Sequence, residues 1–314
     1  MQPDVTFIIA AYNAEGTILR AIESALAQRE VGVEVIVADD RSTDSTAAVA
    51  ASIADDRVTV VTLERNSGPG GARNAALAHA KGRWIAVLDS DDAVFPDRLA
   101  SMIARAEKAG ANAAVDNIEV IADGKTRGET MFPADHLAKI GEITLADFIA
   151  SNLVFESTFN YGYMKPIFER RFIEENSLQY DETLRIGEDY IFLASILASG
   201  GKCVVEPSVG YAYHVRSGSI SRVLELHHVV SMLDADRKFT GKFELDAGAR
   251  AAQARRTRSL EQAKSFLSLV GHIKRRSIGG IVRVALSDPV ALRHLSMPIA
   301  IRLRRLLPAL QRPG

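Results

Sequence analysis

Trp84-Ile85-Ala86-Val87-Leu88-Asp89-Ser90-Asp91-Asp92 passes from five apolar residues into three carboxylates within four positions. A short continuous apolar run suits a strand buried on both faces, as in a parallel sheet. Carboxylates this crowded repel one another and stay ionised cheaply only with positive charge among them. A divalent cation is the usual source, and Mg²⁺ or Mn²⁺ held by one or two carboxylates completes its shell with water and phosphate oxygens. Taken alone, the stretch has two readings: a metal–diphosphate site at the mouth of a strand, or an acidic loop capping the next helix.

Upstream the same pattern recurs. Val5 to Ala10 (VTFIIA) is an apolar, β-branched run that ends in Ala11-Tyr12-Asn13, and Ile18, Ala21, Ile22, Ala25 and Leu26 follow at helical spacing. Val33 to Ala38 (VEVIVA) closes on Asp39-Asp40, after which Ser42 to Thr46 supply helix-capping residues. Val58 to Leu63 reads as a third strand. Asn66-Ser67-Gly68-Pro69-Gly70-Gly71 is a strong loop signal before an Ala-rich helix carrying Arg73 and Asn74. Four rounds of strand then helix predict a parallel, doubly wound α/β sheet, and such sheets bind ligands outside the carboxyl ends of their strands. Those ends carry Ala10 to Asn13, Asp39-Asp40 and Asp89 to Asp92, so the binding-site reading gains weight over the capping one.

Downstream the pattern loosens. Ala113 to Ile121 is followed by a hairpin turn at Asp123-Gly124-Lys125. Pro166 to Glu175 reads as a short helix, and Gly187-Glu188-Asp189-Tyr190 opens another that runs to Ala198. Lys202 to Glu206 and Val209 to Tyr213 read as two short strands, and His214 follows. From about Val223 the chain is mostly helical.

One cysteine, Cys203, excludes an intramolecular disulfide framework and suits a reducing compartment. The apolar run at the N-terminus, flanked by Asp4 and Asn13, is too short for a signal peptide, and no stretch reaches the ~18 uncharged apolar residues of a membrane span. The net charge of −1 is unevenly divided: residues 255–314 hold thirteen Lys or Arg against two Asp or Glu, +11, which leaves −12 for the rest. A basic tail on an acidic body points to an anionic partner.

Ala10-Ala11-Tyr12-Asn13, Val37 to Asp44, Gly70 to Asn74, Leu88 to Asp92 and Gly187 to Tyr190 together resemble, in order and spacing, the motifs of family 2 glycosyltransferases with the GT-A fold. The resemblance spans about residues 4–220. Within that family, Phe155 to Lys165 and Arg185 to Tyr190 are most similar to glucosyltransferases of succinoglycan-type exopolysaccharide assembly. It implies a GT-A, Rossmann-like α/β domain over residues 1–222 with a mostly parallel central sheet flanked by helices. Residues 1–122 would be its nucleotide-sugar half and 123–222 its acceptor and catalytic half, with a helical, basic extension over 223–314.

The resemblance also implies roles. The donor is a UDP-sugar; Asp40 accepts from the uracil N3–H, Ala10 and Tyr12 line the base pocket, and Arg73 sits near the nucleotide. Asp91 faces the ribose or the metal's waters, and Asp92 binds the Mg²⁺ or Mn²⁺ that bridges the phosphates; His214 is a further metal ligand or touches the diphosphate, its other reading being a structural histidine at a strand end. Asp89 binds donor hydroxyls or orients its neighbours. Asp189 is the general base of an inverting displacement, with Glu188 as rival or as acceptor-positioning group. Arg216 and Ser219 are further phosphate contacts, and Glu156 and Asn160 acceptor contacts. The sequence departs from the family at Arg41, where glycine is common; that turn needs φ < 0 or carries strain.

The tail alternates Lys274-Arg275-Arg276, Arg283, Arg302 and Arg304-Arg305 with apolar residues, among them Ile278, Ile281, Val282 and Ala285 on one helix face. This suits a membrane-surface anchor at the cytoplasmic leaflet, consistent with a polyprenyl-linked glycan acceptor, or else a helical cap on the domain or an oligomer contact. Nucleic acid is a poor partner, because the tail has no aromatic platform. Two other functions compete: a sugar-phosphate nucleotidyltransferase, disfavoured because no basic residue follows the first strand directly, and a nucleotide-sugar-binding protein without catalysis.

Overall fold

The computed structural model describes residues 2–154, 159–215 and 224–288. The expectations for Glu156, Arg216, Ser219 and the chain beyond residue 288 lie outside that range. In chain order the elements are β1 (Val5–Ala11), α1 (Ile18–Leu26), β2 (Val33–Asp39), α2 (Thr46–Ala51), β3 (Val58–Thr62), α3 (Gly68–Leu77) and β4 (Trp84–Val87). There follow β5 (Ala93–Val94), α4 (Arg98–Ala109), β6 (Ala113–Ile121), β7 (Glu129–Thr130), α5 (Ala134–Ile140), β8 (Glu142–Ile143) and α6 (Leu145–Ser151). The last are β9 (Ile167–Glu169), α7 (Arg170–Glu175), α8 (Glu188–Ala198), β10 (Cys203–His214), α9 (Leu226–Lys242), α10 (Ala247–Lys274) and α11 (Ile278–Ser287).

The sheet runs β3-β2-β1-β4-β9-β6-β10-β5, with β7 on β6 and β8 on β10. Its first four strands are parallel, as their unbroken apolar runs predict. Ile8 lies opposite Ile36 on one side and Val87 on the other and is fully buried, so Ile8→Ala would cost about 2–5 kcal/mol. α1 covers this sheet with Ile18, Ala21, Ile22 and Ala25, the predicted apolar face. Ala11 pairs with Asp39, and Leu88 N–H donates to the Ile8 carbonyl, so residues 11–13, 39–40 and 89–92 emerge along one sheet edge.

Two elements correct the sequence reading. Residues 166–175 are not one helix: Ile167 and Phe168 are buried in β9, antiparallel between β4 and β6, and helix starts only at Arg170. This strand, with the short antiparallel strands β5, β7 and β8, makes the sheet mixed. The two short strands expected over 202–213 are one strand, β10, parallel to β6, with register shifts between Glu206 and Tyr211. Pro207 has no N–H to give a ladder and is accommodated at that irregularity. The hairpin at Asp123-Gly124-Lys125 forms as expected, with Gly124 at φ 73° and β7 returning along β6.

One apolar core runs from Val5 through Tyr211 and takes in Phe239, Leu245, Ala249 and Ala252, so α9 and α10 pack on the sheet domain. Val229, Leu233, Leu260 and Ala263 form a smaller cluster between these two helices. No helix among the described residues is long and apolar enough to cross a membrane.

Candidate active site

Gly187 adopts φ 92°, a left-handed turn open to glycine, and lets the chain enter α8 with Glu188 and Asp189 in its first turn. Carboxylates there complement the helix dipole, but their partners lie elsewhere. The buried Arg73 guanidinium donates to Glu188 Oε1 at 2.6 Å and to Asp89 Oδ1 at 2.8 Å, and its Nη1 lies 3.0 Å from Asp189 Oδ1. Lys165 Nζ lies 2.8 Å from both Asp89 Oδ2 and Asp189 Oδ2. Two cations thus join three carboxylates, and Asp189 meets Asp89 from a hundred residues away in the chain.

The Gly70 to Asn74 motif explains how. A Cβ on Gly70 would sit 2.9 Å from the Asp181 carbonyl, so glycine allows the segment before α8 to lie against α3. Asn74 then grips that segment twice, donating to Tyr180 O at 3.0 Å and accepting from Tyr180 N–H at 2.9 Å. Arg73, on the same helix, passes beside the Tyr180 ring to the acids. It is buried among these acids and is not a surface cation.

The charges reshape one another. Burial acts to raise the Asp89 carboxyl, but Lys165 and then Arg73 outweigh it and hold it at about 2. Burial likewise opposes the Lys165 charge, and Asp189 and Asp89 reverse this and raise its pKa. Glu188 is raised by burial and by Asp189, against Arg73.

Asp92 is fully buried and does not face the sheet edge. Its Oδ2 accepts from the Tyr211 hydroxyl and its Oδ1 from His214 N–H, both at 2.8 Å. Burial, then Asp89 and Asp91, push its carboxyl well above the ordinary carboxylate range. The expectation of a metal ligand at Asp92 is therefore not matched by its position: it ties the 89–92 loop to the end of β10. Tyr211 reinforces the tie by accepting from Asp89 N–H at 3.2 Å. Asp91 is half-buried, its carbonyl accepting from Arg20. His214 ends β10, with its Nδ1 3.2 Å from the Ala212 carbonyl. Among the described residues no three His, Cys, Asp or Glu side chains group to hold a metal by themselves.

At the β2 end the two aspartates divide differently from expectation. Asp40 caps α3: its oxygens accept from Ser67 N–H at 2.6 Å and Gly68 N–H at 2.8 Å, so both are committed to protein. Asp39 accepts from Ser42 N–H through Oδ2, while its buried Oδ1 has no hydrogen-bond partner. Ala10 is partly buried at the edge and Tyr12 is 47% exposed beside it. Arg41 takes φ 63°, the strained alternative of the two foreseen, at a cost on the order of 1 kcal/mol. Asn160 uses its side-chain oxygen on Gly162 N–H at 2.8 Å. A cavity of about 440 Å³ lined by Glu142, Asp147, Phe159 and Tyr161, among others, shares no residue with the charged cluster.

Sequence reasoning gave no role to Lys165 or Tyr211, and placed Asp39 at the strand end without a role of its own. Lys165 sits in the irregular middle of the chain, where no periodicity marks it. Its carbonyl accepts from Arg98, whose guanidinium is buried in a 2.8 Å pair with Asp116. Arg256 of α10 lies 3.7 Å over the Tyr190 ring and donates to Asp236 and to the Asn152 carbonyl, bracing α8 from behind.

The model of glycosyl transferase family 2 matches residues 6–172. The succinoglycan biosynthesis protein ExoO of Rhizobium meliloti (strain 1021) is 59% identical over 97% of this chain and 87% of its own length. The UDP-Glc:alpha-D-GlcNAc-diphosphoundecaprenol beta-1,3-glucosyltransferase WfaP of Escherichia coli is 32% identical over 69% of this chain and 79% of its own. The structure of S. aureus TarS 1-349 in complex with UDP-GlcNAc shares the fold, at TM-score 0.62 and 19% identity, over 90% of this chain and 91% of that one. The family match covers the strands that deliver Asp39 and Asp89, the full-length likeness to ExoO extends past Glu188 and Asp189, and on these grounds the chain belongs to glycosyl transferase family 2 and is a glycosyltransferase of GT-A fold.

Proposed function

We propose that the chain is a metal-dependent, inverting transferase that moves a hexose, glucose by analogy with WfaP, from a UDP-sugar to a polyprenyl-linked glycan in exopolysaccharide assembly. The convergence of Asp89 and Asp189 on Arg73 and Lys165 carries this reading. The names of ExoO and WfaP support the pathway, the lipid-linked acceptor and the UDP donor.

Asp189 takes the proton of the acceptor hydroxyl as that oxygen attacks the anomeric carbon from the side opposite the departing UDP. With its five groups charged the cluster is net −1, so one proton on Asp189 leaves it neutral. Lys165 and Arg73 fix the carboxylate's orientation, and Glu188, on the other side of the Arg73 fork, sets the guanidinium. Asp39 Oδ1, rather than Asp40, is the acceptor for the uracil N3–H, and the exposed Tyr12 ring is the face on which the base stacks. Asp91 and the His214 imidazole would hold Mg²⁺ or Mn²⁺, a donor set that suits a hard cation keeping its waters and taking phosphate oxygens. When bound, the cation stabilises negative charge on the departing diphosphate. Asp92 positions both donors from beneath.

The test is a UDP-release screen of donor sugars with Mn²⁺ and membranes as acceptor source. Turnover that needs the divalent cation and is lost in Asp189→Asn, with UDP binding retained, supports the reading. Turnover that survives both chelation and Asp189→Asn refutes it.

A further inference from the structure

α11 is amphipathic the wrong way round for a helix in water. Ile278, Val282 and Leu286, spaced by four, share one face and are 76%, 50% and 78% exposed. Its opposite face is seated on α10: a Cβ on Gly280 would fall on the His272 ring, so glycine permits the close approach. Ile273, at the end of α10, is also exposed, and Lys274, Arg275, Arg276 and Arg283 stand exposed around the stripe. Residues 262–288 contain five Lys or Arg against one acid, Asp288 at the end of α11.

Charge decides what can cover the stripe. The remaining residues, 289–314, add five Arg and no acid, so folding that segment over the stripe would bring like charges together. The same face of a second copy carries the same cations. An aliphatic face ringed by cations, without an aromatic anchor or buried polar group to specify a peptide, matches the boundary between acyl chains and anionic headgroups.

We infer that the Ile278-Val282-Leu286 face of α11, with Lys274 to Arg276 and Arg283, docks the enzyme on an anionic lipid surface. The inference deepens the proposed function, on which it rests for its purpose: it brings the enzyme to the leaflet that holds a lipid-linked acceptor. The −12 carried by the rest of the chain is repelled by the same surface and orients the basic end toward it.

The experiment is cosedimentation of the full chain with phosphatidylcholine vesicles, with and without phosphatidylglycerol, for the natural sequence, Ile278→Ser/Leu286→Ser and Arg275→Gln/Arg276→Gln. Expected are partitioning that requires the anionic lipid and falls with salt, a loss of about tenfold or more in the first variant, and a loss of about fivefold per charge in the second. Both variants keep the natural melting temperature and the natural turnover on a soluble acceptor. Partitioning equal in all three proteins, or none, overturns the inference. So does a stripe variant that melts lower without changing vesicle binding, which would show that the chain itself covers the face. A dimer abolished by the stripe variant would assign the face to a second copy instead. Vesicle binding needs no sugar donor, so docking without turnover would refute the proposed function alone, and turnover without docking this inference alone.

Discussion

Lys165→Met removes one of the two cations that hold three carboxylates together and leaves the shape of the side chain nearly unchanged. Lys165 is 12% exposed in its side chain, Asp89 25% and Asp189 16%, so the contacts are screened little by solvent. Each is a charge-assisted hydrogen bond worth about 1.5–3 kcal/mol, and leaving a buried charge uncompensated costs about 3–5 kcal/mol. Partial exposure discounts this to about 2–4 kcal/mol at neutral pH, or about 5–10 °C in melting temperature for a chain of this size. The pH dependence adds a sign. Asp89 titrates at about 2 when folded, below its ordinary 3.8, so its contribution is complete above the ordinary value and is lost as pH falls through about 2. That contribution is about 2 kcal/mol. Without Lys165 the Asp89 carboxyl rises, and the variant loses stability at a higher pH than the natural protein. The assay is thermal unfolding from neutral pH down through the acid limb, with Lys165→Arg as the variant that keeps the charge and recovers most of the loss. A Lys165→Met protein that melts within about 1 °C of the natural one, with the same acid midpoint, would refute the network.

Asp189→Asn should lower kcat by about 10²–10⁴-fold and leave UDP affinity unchanged, read by UDP release and by calorimetric titration with UDP. Asp39→Asn should weaken UDP binding about tenfold with little change in melting, whereas Asp40→Ala should cost about 1–2 kcal/mol through the lost α3 cap while UDP affinity stays within about threefold. Tyr211→Phe leaves an oxygen of buried Asp92 and the Asp89 N–H without their partner, so it should cost about 2–4 kcal/mol and raise the Mn²⁺ concentration needed for half-maximal turnover.

The parallel half of the sheet was legible because each strand there is buried on both faces and so reads as an unbroken apolar run. Ile8 and Val87 could hardly belong to anything else. β9 was not legible: three residues are too few to show a period, and only the gap between β4 and β6 makes a strand of Ile167 and Phe168. The carboxylates at the sheet edge were visible as a pattern, but their division of labour was not. Sequence places Asp39 beside Asp40 and Asp91 beside Asp92, and neighbours on a chain leaving a strand turn opposite ways. One of each pair is fully committed to protein, Asp40 to the α3 terminus and Asp92 to Tyr211 and His214, while Asp39, equally buried, keeps one oxygen without a partner; only the fold shows which. Arg73 was visible as a charge in a motif, but its partners Glu188 and Asp189 lie more than a hundred residues on and come to it through the Asn74 grip on Tyr180.

The central claim is that Asp189 faces the anomeric carbon from the side opposite the leaving diphosphate, so that a single displacement occurs. The anomeric configuration of the first product, read from its proton NMR coupling when the donor is a UDP-α-sugar, tests it most directly. The arrangement of Asp189 against Asp89 predicts a β-linked product, and an α-linked product would contradict it.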